Sequence, residues 1–169
     1  MSSNRVPTLG DAAELAALID TFHSAMLVTR AADGRFAARP MGILRRDPDD
    51  SLWFATLLDS TKTNDLAADP QSAVILHDGQ DAPSWVSMSG SAAVSQDRSK
   101  IRELWRASLK LWFPEGPEQA DLALIHFHPR HVEYMKMETG KVGAYLMALK
   151  HLVFKAPLPD TPKKQIELS

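Results

Sequence analysis

Short apolar runs separated by turn-forming residues follow one another along most of the chain. The segments SAMLVTR, FAARPMGILRR and SLWFATLL each have the character of a strand, and Asp33-Gly34 between the first two is a hairpin signal. Further strands are predicted at SAVILHD, WVSMSGSAAVS, LALIHFHP and HVEYMKME. Closely spaced strands with turns between them favour an antiparallel barrel over a doubly wound parallel sheet. The pattern therefore predicts a mainly β fold of about seven strands, with inserted α-helices.

Three stretches show helical periodicity instead of strand alternation. Residues 11 to 22 are predicted to form a helix capped by Asp11, and STKTNDLAADP a short helix that Pro70 closes. Asp97 is expected to cap a third helix over residues 98 to 112. The apolar stripes of the first and third helices are Leu15, Leu18, Ile19 and Phe22, and Ile101, Leu104, Trp105 and Leu109.

The composition indicates one globular domain. Of the 169 residues 44% are hydrophobic and 24% charged, which is typical of a chain with a packed core. We place a single domain at residues 1–150 and a Pro-rich tail at residues 151–169. Because the tail contains Pro157, Pro159 and Pro162, we expect an extended arm or a disordered segment.

Charge and cysteine content narrow the classes of function. A net charge of -2 and a sequence pI of about 6.3 give no sign of nucleic-acid binding. No run approaches the ~18 apolar residues of a membrane span, and acidic residues interrupt the N-terminal apolar positions where a signal peptide would need them. The chain has no cysteine, so disulfides and thiolate chemistry are excluded. We expect a soluble cytoplasmic protein.

The turn DSTK, at residues 59 to 62, joins a predicted buried strand to a predicted helix. Ser60 or Thr61 can cap that helix, with Lys62 as a solvated surface residue. Alternatively, the free amides of the first helical turn, the two hydroxyls and the lysine can bind one phosphate. The segment alone leaves both interpretations open.

Arg39 in the preceding strand bears on this choice. An arginine inside a core strand needs a partner, because burying an unpaired guanidinium costs several kcal/mol. If the two strands are neighbours, Arg39 and Lys62 can converge on the same anion, and the arginine fork suits phosphate. The competing explanation is a salt bridge from Arg39 to Asp47 or Asp59.

These segments together resemble the FMN-binding split-barrel superfamily that includes pyridoxamine 5'-phosphate oxidase, and within it the smaller general stress protein branch. The resemblance rests on AMLVTR with its return DGRFAARPM, on LWFATLLDSTKTNDLAADP, on WVSMSGSAAV, and on LWFPEGPEQADLALIHFHP followed by VEYM. In order, they span residues 12 to 137. The resemblance implies a split β-barrel of antiparallel Greek-key topology that forms a homodimer, with FMN (or FAD) at the subunit interface.

The resemblance also implies roles for particular residues. Arg39 and Lys62 would bind the flavin phosphate with the hydroxyls of Ser60 and Thr61. Phe54, Ala55 and Thr56 would lie along the flavin or its ribityl chain, and Pro40, Met41 and Gly42 beside the ring. Trp85 stands where the oxidases have a flavin-contacting glutamine, and Met135 stands where the family usually has a tryptophan.

Two departures concern the substrate. Leu44 stands where the true oxidases have a substrate-phosphate lysine, and TGKVGAYLMALK lacks their C-terminal arginine-x-histidine element. We therefore expect no oxidation of pyridoxamine phosphate. The leading hypothesis is an FMN-dependent oxidoreductase with NAD(P)H as a possible electron donor. The alternatives are a non-catalytic flavin carrier, buffer or sensor in a stress response, and a barrel that has lost its cofactor.

Two aromatic groups have competing interpretations. His126 and His128 share one strand face and can serve a metal, although strand alternation favours a plain polar face. Trp105 and Trp112 lie two helical turns apart, which favours core packing. Alternatively, Trp112 with Phe113 and Pro114 covers the edge of the partner's flavin. No metal site is expected.

Overall fold

The computed structural model describes residues 9–78, 84–136 and 164–167. Within these ranges the chain forms seven strands and three α-helices. The strands are β1 (Ser24–Arg30), β2 (Phe36–Arg46), β3 (Leu52–Leu57), β4 (Gln71–Asp78), β5 (Ser84–Ser95), β6 (Leu122–Met135) and β7 (Lys164–Glu167). The helices are α1 (Leu9–Ile19), α2 (Thr61–Ala68) and α3 (Arg98–Leu104), and short 3-10 turns follow at Ala107–Leu111 and Gly116–Glu118.

The strands form one antiparallel sheet in the order β3-β2-β1-β4-β5-β6-β7. An additional antiparallel pairing of β3 with β6 closes the first six strands into a barrel. Because β4 returns to lie beside β1 after the meander β1-β2-β3, the topology is a Greek key. The predicted antiparallel Greek-key barrel is confirmed.

Strand alternation fills the barrel with apolar side chains. In β1, Ala25, Leu27 and Thr29 are buried, whereas Ser24 and Met26 point outward. The predicted stripe of α1 packs against this main core, as does Leu66 of α2. A second, smaller cluster lies where α3 meets the sheet and consists of Leu44, Trp53, Ile101, Leu104, Phe113, Leu122 and Leu124.

β6 is one continuous strand, so the prediction of two separate strands was wrong. Pro129 has no N–H, but it does not break the strand because it lies where no neighbouring strand needs an N–H from β6. The β3 ladder on one edge of β6 ends at Phe127, and the β7 ladder on that edge begins at His131. On the other edge, β5 shifts register between Ser89 and Gly90.

The helices differ from their predicted bounds. α1 ends at Ile19, and Asp11 lies in its first turn instead of capping it. Asp97 does cap α3, since its Oδ1 accepts from the backbone N–H groups of Ser99 (2.8 Å) and Lys100 (3.2 Å). α3 stops at Leu104 because Trp105 and Arg106 are extended, and Arg106 donates to the Leu44 carbonyl of the sheet. Packing on the sheet thus overrides a longer helical pattern.

Part of the predicted tail returns to the barrel. Lys164–Glu167 pairs with β6, and Ile166 is buried in the main core. TGKVGAYLMALK and residues 151–163 lie outside the described residues, and the boundary at residue 150 stays a prediction. In the part of the chain that the structure describes, no helix combines the length and hydropathy needed to cross a membrane.

Candidate functional site

The turn between β3 and α2 is a well-capped helix start. Ser60 is the N-cap, and its backbone N–H donates to Thr63 Oγ1 (3.1 Å). The Thr63 hydroxyl donates to the Leu58 carbonyl (2.6 Å), which fastens the turn to the end of β3. The backbone N–H groups of Thr61 and Lys62 have no hydrogen-bond partner among the described residues. The predicted cap at Ser60 is therefore correct, although Lys62 is partly buried and not a fully solvated residue, and the cap leaves two amides for an anion.

Arg39 reaches this helix from β2. Its side chain is only 20% exposed, and it points to the inner side of the strand opposite Leu27. Arg39 Nη1 donates to Thr29 Oγ1 (2.6 Å), and Nη2 lies 3.4 Å from Asp65 Oδ2. The partner is thus a carboxylate of α2 and not Asp47 or Asp59, the two that the sequence suggested.

Lys62 is the second cation at this end of the barrel. Burial lowers the pKa of Lys62, and the positive charge of Arg39 lowers it further. Lys62 forms no ion pair with any described residue. Arg39 and Lys62 are therefore two partly buried cations that repel each other, and of the two only Arg39 is paired with a carboxylate, that of Asp65, within the described residues. An anion bound between them would relieve the repulsion, and the α2 dipole would favour it.

Beside this turn, β2 and β3 separate. Their ladder ends at the pair Ile43–Phe54, whereas the ladder of β3 with β6 continues to Leu57–Leu122. The edge of β3 over Ala55 and Thr56 consequently has no β2 partner. Unpaired strand backbone can bind a ligand with its N–H and C=O groups.

Comparison with known proteins identifies the family. The model of the family described as pyridoxamine 5'-phosphate oxidase like matches residues 10–158. The chain belongs to the pyridoxamine 5'-phosphate oxidase-like family. No curated protein matches the chain.

Solved structures share the fold at low identity. A protein related to general stress protein 26 of the pyridoxinephosphate oxidase family, from Clostridium acetobutylicum, is 16% identical with a TM-score of 0.68, covering 79% of this chain and 94% of that one. General stress protein 26 from Bacillus anthracis is 24% identical with a TM-score of 0.65, covering 73% and 92%. A pyridoxamine 5'-phosphate oxidase-related, FMN binding protein from Nostoc punctiforme is 12% identical with a TM-score of 0.56, covering 98% of both chains. These likenesses establish the split-barrel fold.

The residues expected around the flavin ring in this family differ in exposure. Met41, Phe54 and Thr56 are buried in the barrel, so only their backbone can meet a ligand outside it. Pro40 and Gly42 are exposed on the outer side of β2, and Ala55 is half-buried. The phosphate-side residues do come together, since Ser60, Thr61 and Lys62 form the α2 start beside Arg39.

The other expected ring contacts lie elsewhere in the same chain. Trp85 and Met135 face each other across β5 and β6, and neither of these strands pairs with β2, the strand of Arg39. Trp112 follows the first 3-10 turn and is 74% exposed, so the core-packing interpretation was wrong for it. Trp105 does pack partly against the second core cluster.

Thr29 and Asp65 belong to this site and were missed from the sequence. The Thr29 hydroxyl donates to Asp65 Oδ2 (2.7 Å), and the residue is buried. A hydroxyl at an inward position of an otherwise apolar strand face was the available signal. Asp65 follows Lys62 by three residues, which places both on one face of α2.

The paired histidines lie on the outer side of β6 in a stacked cluster. The ring of His126 stacks on Trp53 with centroids 3.7 Å apart, and His128 lies 3.9 Å from His126. His126 Nε2 is 2.9 Å from Ser51 Oγ. Burial and the neighbouring His128 lower the pKa of His126 to about 4, against the opposing charges of Asp47 and Asp49. Among the described residues, no three His, Asp or Glu side chains are arranged to hold a metal.

Because of this cluster, the free energy of unfolding should decrease as the pH is lowered through a defined window. The folded-state pKa of about 4 lies below the ordinary value of 6.5, so the unfolded chain binds more protons between these values. The contribution of His126 is therefore present above pH 6.5 and is lost as pH falls toward 4. The gap corresponds to about 3 kcal/mol, and we expect roughly 1–2 kcal/mol because solvent screens the partly exposed ring.

Urea unfolding of wild type and His126→Gln between pH 4 and 8 measures this effect. The glutamine variant should lose about 1–2 kcal/mol less than wild type between pH 6.5 and 4, while the shared carboxylate contributions cancel. Equal losses in the two proteins would show that His126 does not titrate as described. The measurement at pH 8 establishes that the variant is folded.

Proposed function

We propose that this chain is an FMN-dependent oxidoreductase of the cytoplasm that works as a homodimer and does not oxidise pyridoxamine phosphate. The observation that carries the proposal is the convergence of Arg39 and Lys62 at the start of α2, in a member of this family. The site fits a phosphate group because it offers a guanidinium, an ammonium, two free amides and the hydroxyls of Ser60 and Thr61.

The unpaired edge of β3 supports a position for the rest of the flavin. Backbone groups of Ala55 and Thr56 lie close in sequence to the proposed phosphate site, and Phe54 and Met41, whose side chains are buried in the barrel, would meet the flavin with their backbone. Pro40 and Gly42 would border the ring from β2. FMN, when bound, supplies the redox chemistry, and the protein supplies position and electrostatics. FAD has a phosphate at the corresponding place, so the same site would accept it.

A second chain would complete the site. Trp85 and Met135 lie on strands that do not pair with the strand of Arg39, and exposed Trp112 suits a contact across an interface. An apolar strip on the outer face of β2, β1 and β4 supports dimerisation: Met26 stands opposite both Pro40 and Ile75 in the strand register, and Phe36 is 77% exposed at the strip's end. Contiguous exposed apolar surface of this kind marks an interface.

A non-catalytic flavin carrier, buffer or sensor is the second candidate. It is favoured by Leu44, an apolar and buried side chain at the position of the family's substrate-phosphate lysine. Both candidates require the same phosphate site and differ only in turnover.

Removal of either cation should weaken FMN binding. Arg39→Ala and Lys62→Ala should each cost about 1.5–3 kcal/mol, roughly ten- to a hundredfold in Kd, because each removes a charge-assisted hydrogen bond to phosphate. Quenching of flavin fluorescence measures the Kd. Arg102→Ala, which removes an exposed arginine of α3 paired with Glu118, is the matched control and should bind FMN normally. Normal binding by the Arg39/Lys62 double variant would place the phosphate elsewhere.

The apolar strip should hold the dimer. Ile75→Glu puts a charge at the centre of the strip and should shift the protein from dimer to monomer, as measured by light scattering coupled to size exclusion. Ala17→Glu, at another exposed position but on α1, should leave the dimer intact. A wild-type monomer at micromolar concentration, or a dimer that tolerates Ile75→Glu, would contradict the assignment of this face.

Reduction of the bound flavin separates the two candidates. If the chain is an oxidoreductase, NADH or NADPH should bleach the flavin absorption of the FMN-loaded protein, and air should restore it. A loaded protein that keeps its colour with both nucleotides, yet is bleached by dithionite, would support the carrier or sensor instead. Protein that takes up no FMN would remove both.

A further inference from the structure

We propose that Thr29 and Asp65 are positioning residues that hold Arg39 and α2 in the arrangement needed to grip a terminal phosphate. This inference rests on the proposed flavin-phosphate site. It assigns a role to two side chains that are not themselves expected to touch the phosphate.

The directions of the hydrogen bonds follow from the chemistry of the groups. An ionised carboxylate only accepts, so the Thr29 hydroxyl must give its single proton to Asp65 Oδ2 at 2.7 Å. A guanidinium only donates, so the same hydroxyl oxygen must accept from Arg39 Nη1 at 2.6 Å. The two hydrogen bonds form a relay that runs from Arg39 through Thr29 to Asp65, and the donor and acceptor of neither bond can be exchanged.

The relay leaves most N–H donors of the Arg39 guanidinium available to an anion. Of the five N–H donors of an arginine, one on Nη1 points to Thr29 and one on Nη2 to Asp65, the latter at 3.4 Å. The remaining three have no partner among the described residues. An arginine fixed in this way loses less rotamer entropy when it binds an anion.

The relay also joins the two halves of the phosphate site. Arg39 belongs to β2 and Thr29 to β1, whereas Asp65 belongs to α2, the helix that carries Lys62 and the free amides. Thr29 is 1% exposed, and the side chains of Arg39 and Asp65 are 20% and 13% exposed, so solvent competes little for these bonds. The three side chains consequently set the distance between the guanidinium and the start of α2.

A comparison of FMN with riboflavin tests this role. Riboflavin lacks the phosphate, so a positioning defect at the phosphate site should lower FMN affinity and leave riboflavin affinity unchanged. We expect Thr29→Val to weaken FMN binding five- to twentyfold and riboflavin binding less than twofold. Thr29→Ser retains the hydroxyl and should stay within twofold of wild type for both flavins. Thr29→Ala also removes the hydroxyl without changing the charge of the site and should reproduce the Thr29→Val result, which keeps the test decisive if the valine variant does not fold.

The outcomes distinguish this inference from the function on which it rests. If wild type binds riboflavin as tightly as FMN, the proposed phosphate site is contradicted, and so is the role of the relay. Wild type that prefers FMN, together with Thr29→Val and Thr29→Ala variants that keep the full preference, would overturn the positioning role alone. Equal losses for FMN and riboflavin in these variants would also overturn it, since they would indicate a general disturbance of the barrel.

Discussion

The pairing of β3 with β6 is the constraint on which the rest of the structure depends. It joins strands that are about 70 residues apart in sequence, as in the pair Phe54–Ile125, and it turns an open sheet into a barrel. One edge of β3 is hydrogen-bonded to β6 along its whole length. The strand can therefore lose pairing only at its other edge, where it separates from β2. The opening beside Ala55 and the α2 turn is thus a result of closure elsewhere.

The proposed phosphate site combines two arrangements that would each be costly alone. A helix start leaves amides without partners, and an inward arginine leaves a charge away from water. The fold places them against each other and compensates part of the charge with Asp65. The compensation is incomplete, since Arg39 and Lys62 outnumber the carboxylate, and this excess of positive charge is what suits the position to an anion.

Local patterns predicted much of this from the sequence. Alternation placed β1 to β5, and the cap at Asp97 followed from residue type. What failed depended on contacts between distant segments. The continuity of β6 through Pro129 requires knowledge of where two neighbouring strands end and begin, and the early stop of α3 requires the Leu44 carbonyl. Asp65 could not be chosen as the partner of Arg39, because a sequence does not state which face of α2 meets β1.

The strand β7 has a consequence for synthesis of the chain on the ribosome. Ile166 belongs to the main core, yet it follows the end of β6 by about 30 residues. The barrel can close once β6 has emerged from the ribosome. At that point the edge of β6 over residues 131–134 is still unpaired, because β7 has not yet been synthesised. For the time needed to translate that interval, a nascent chain exposes a strand edge and an unfilled core position to other chains.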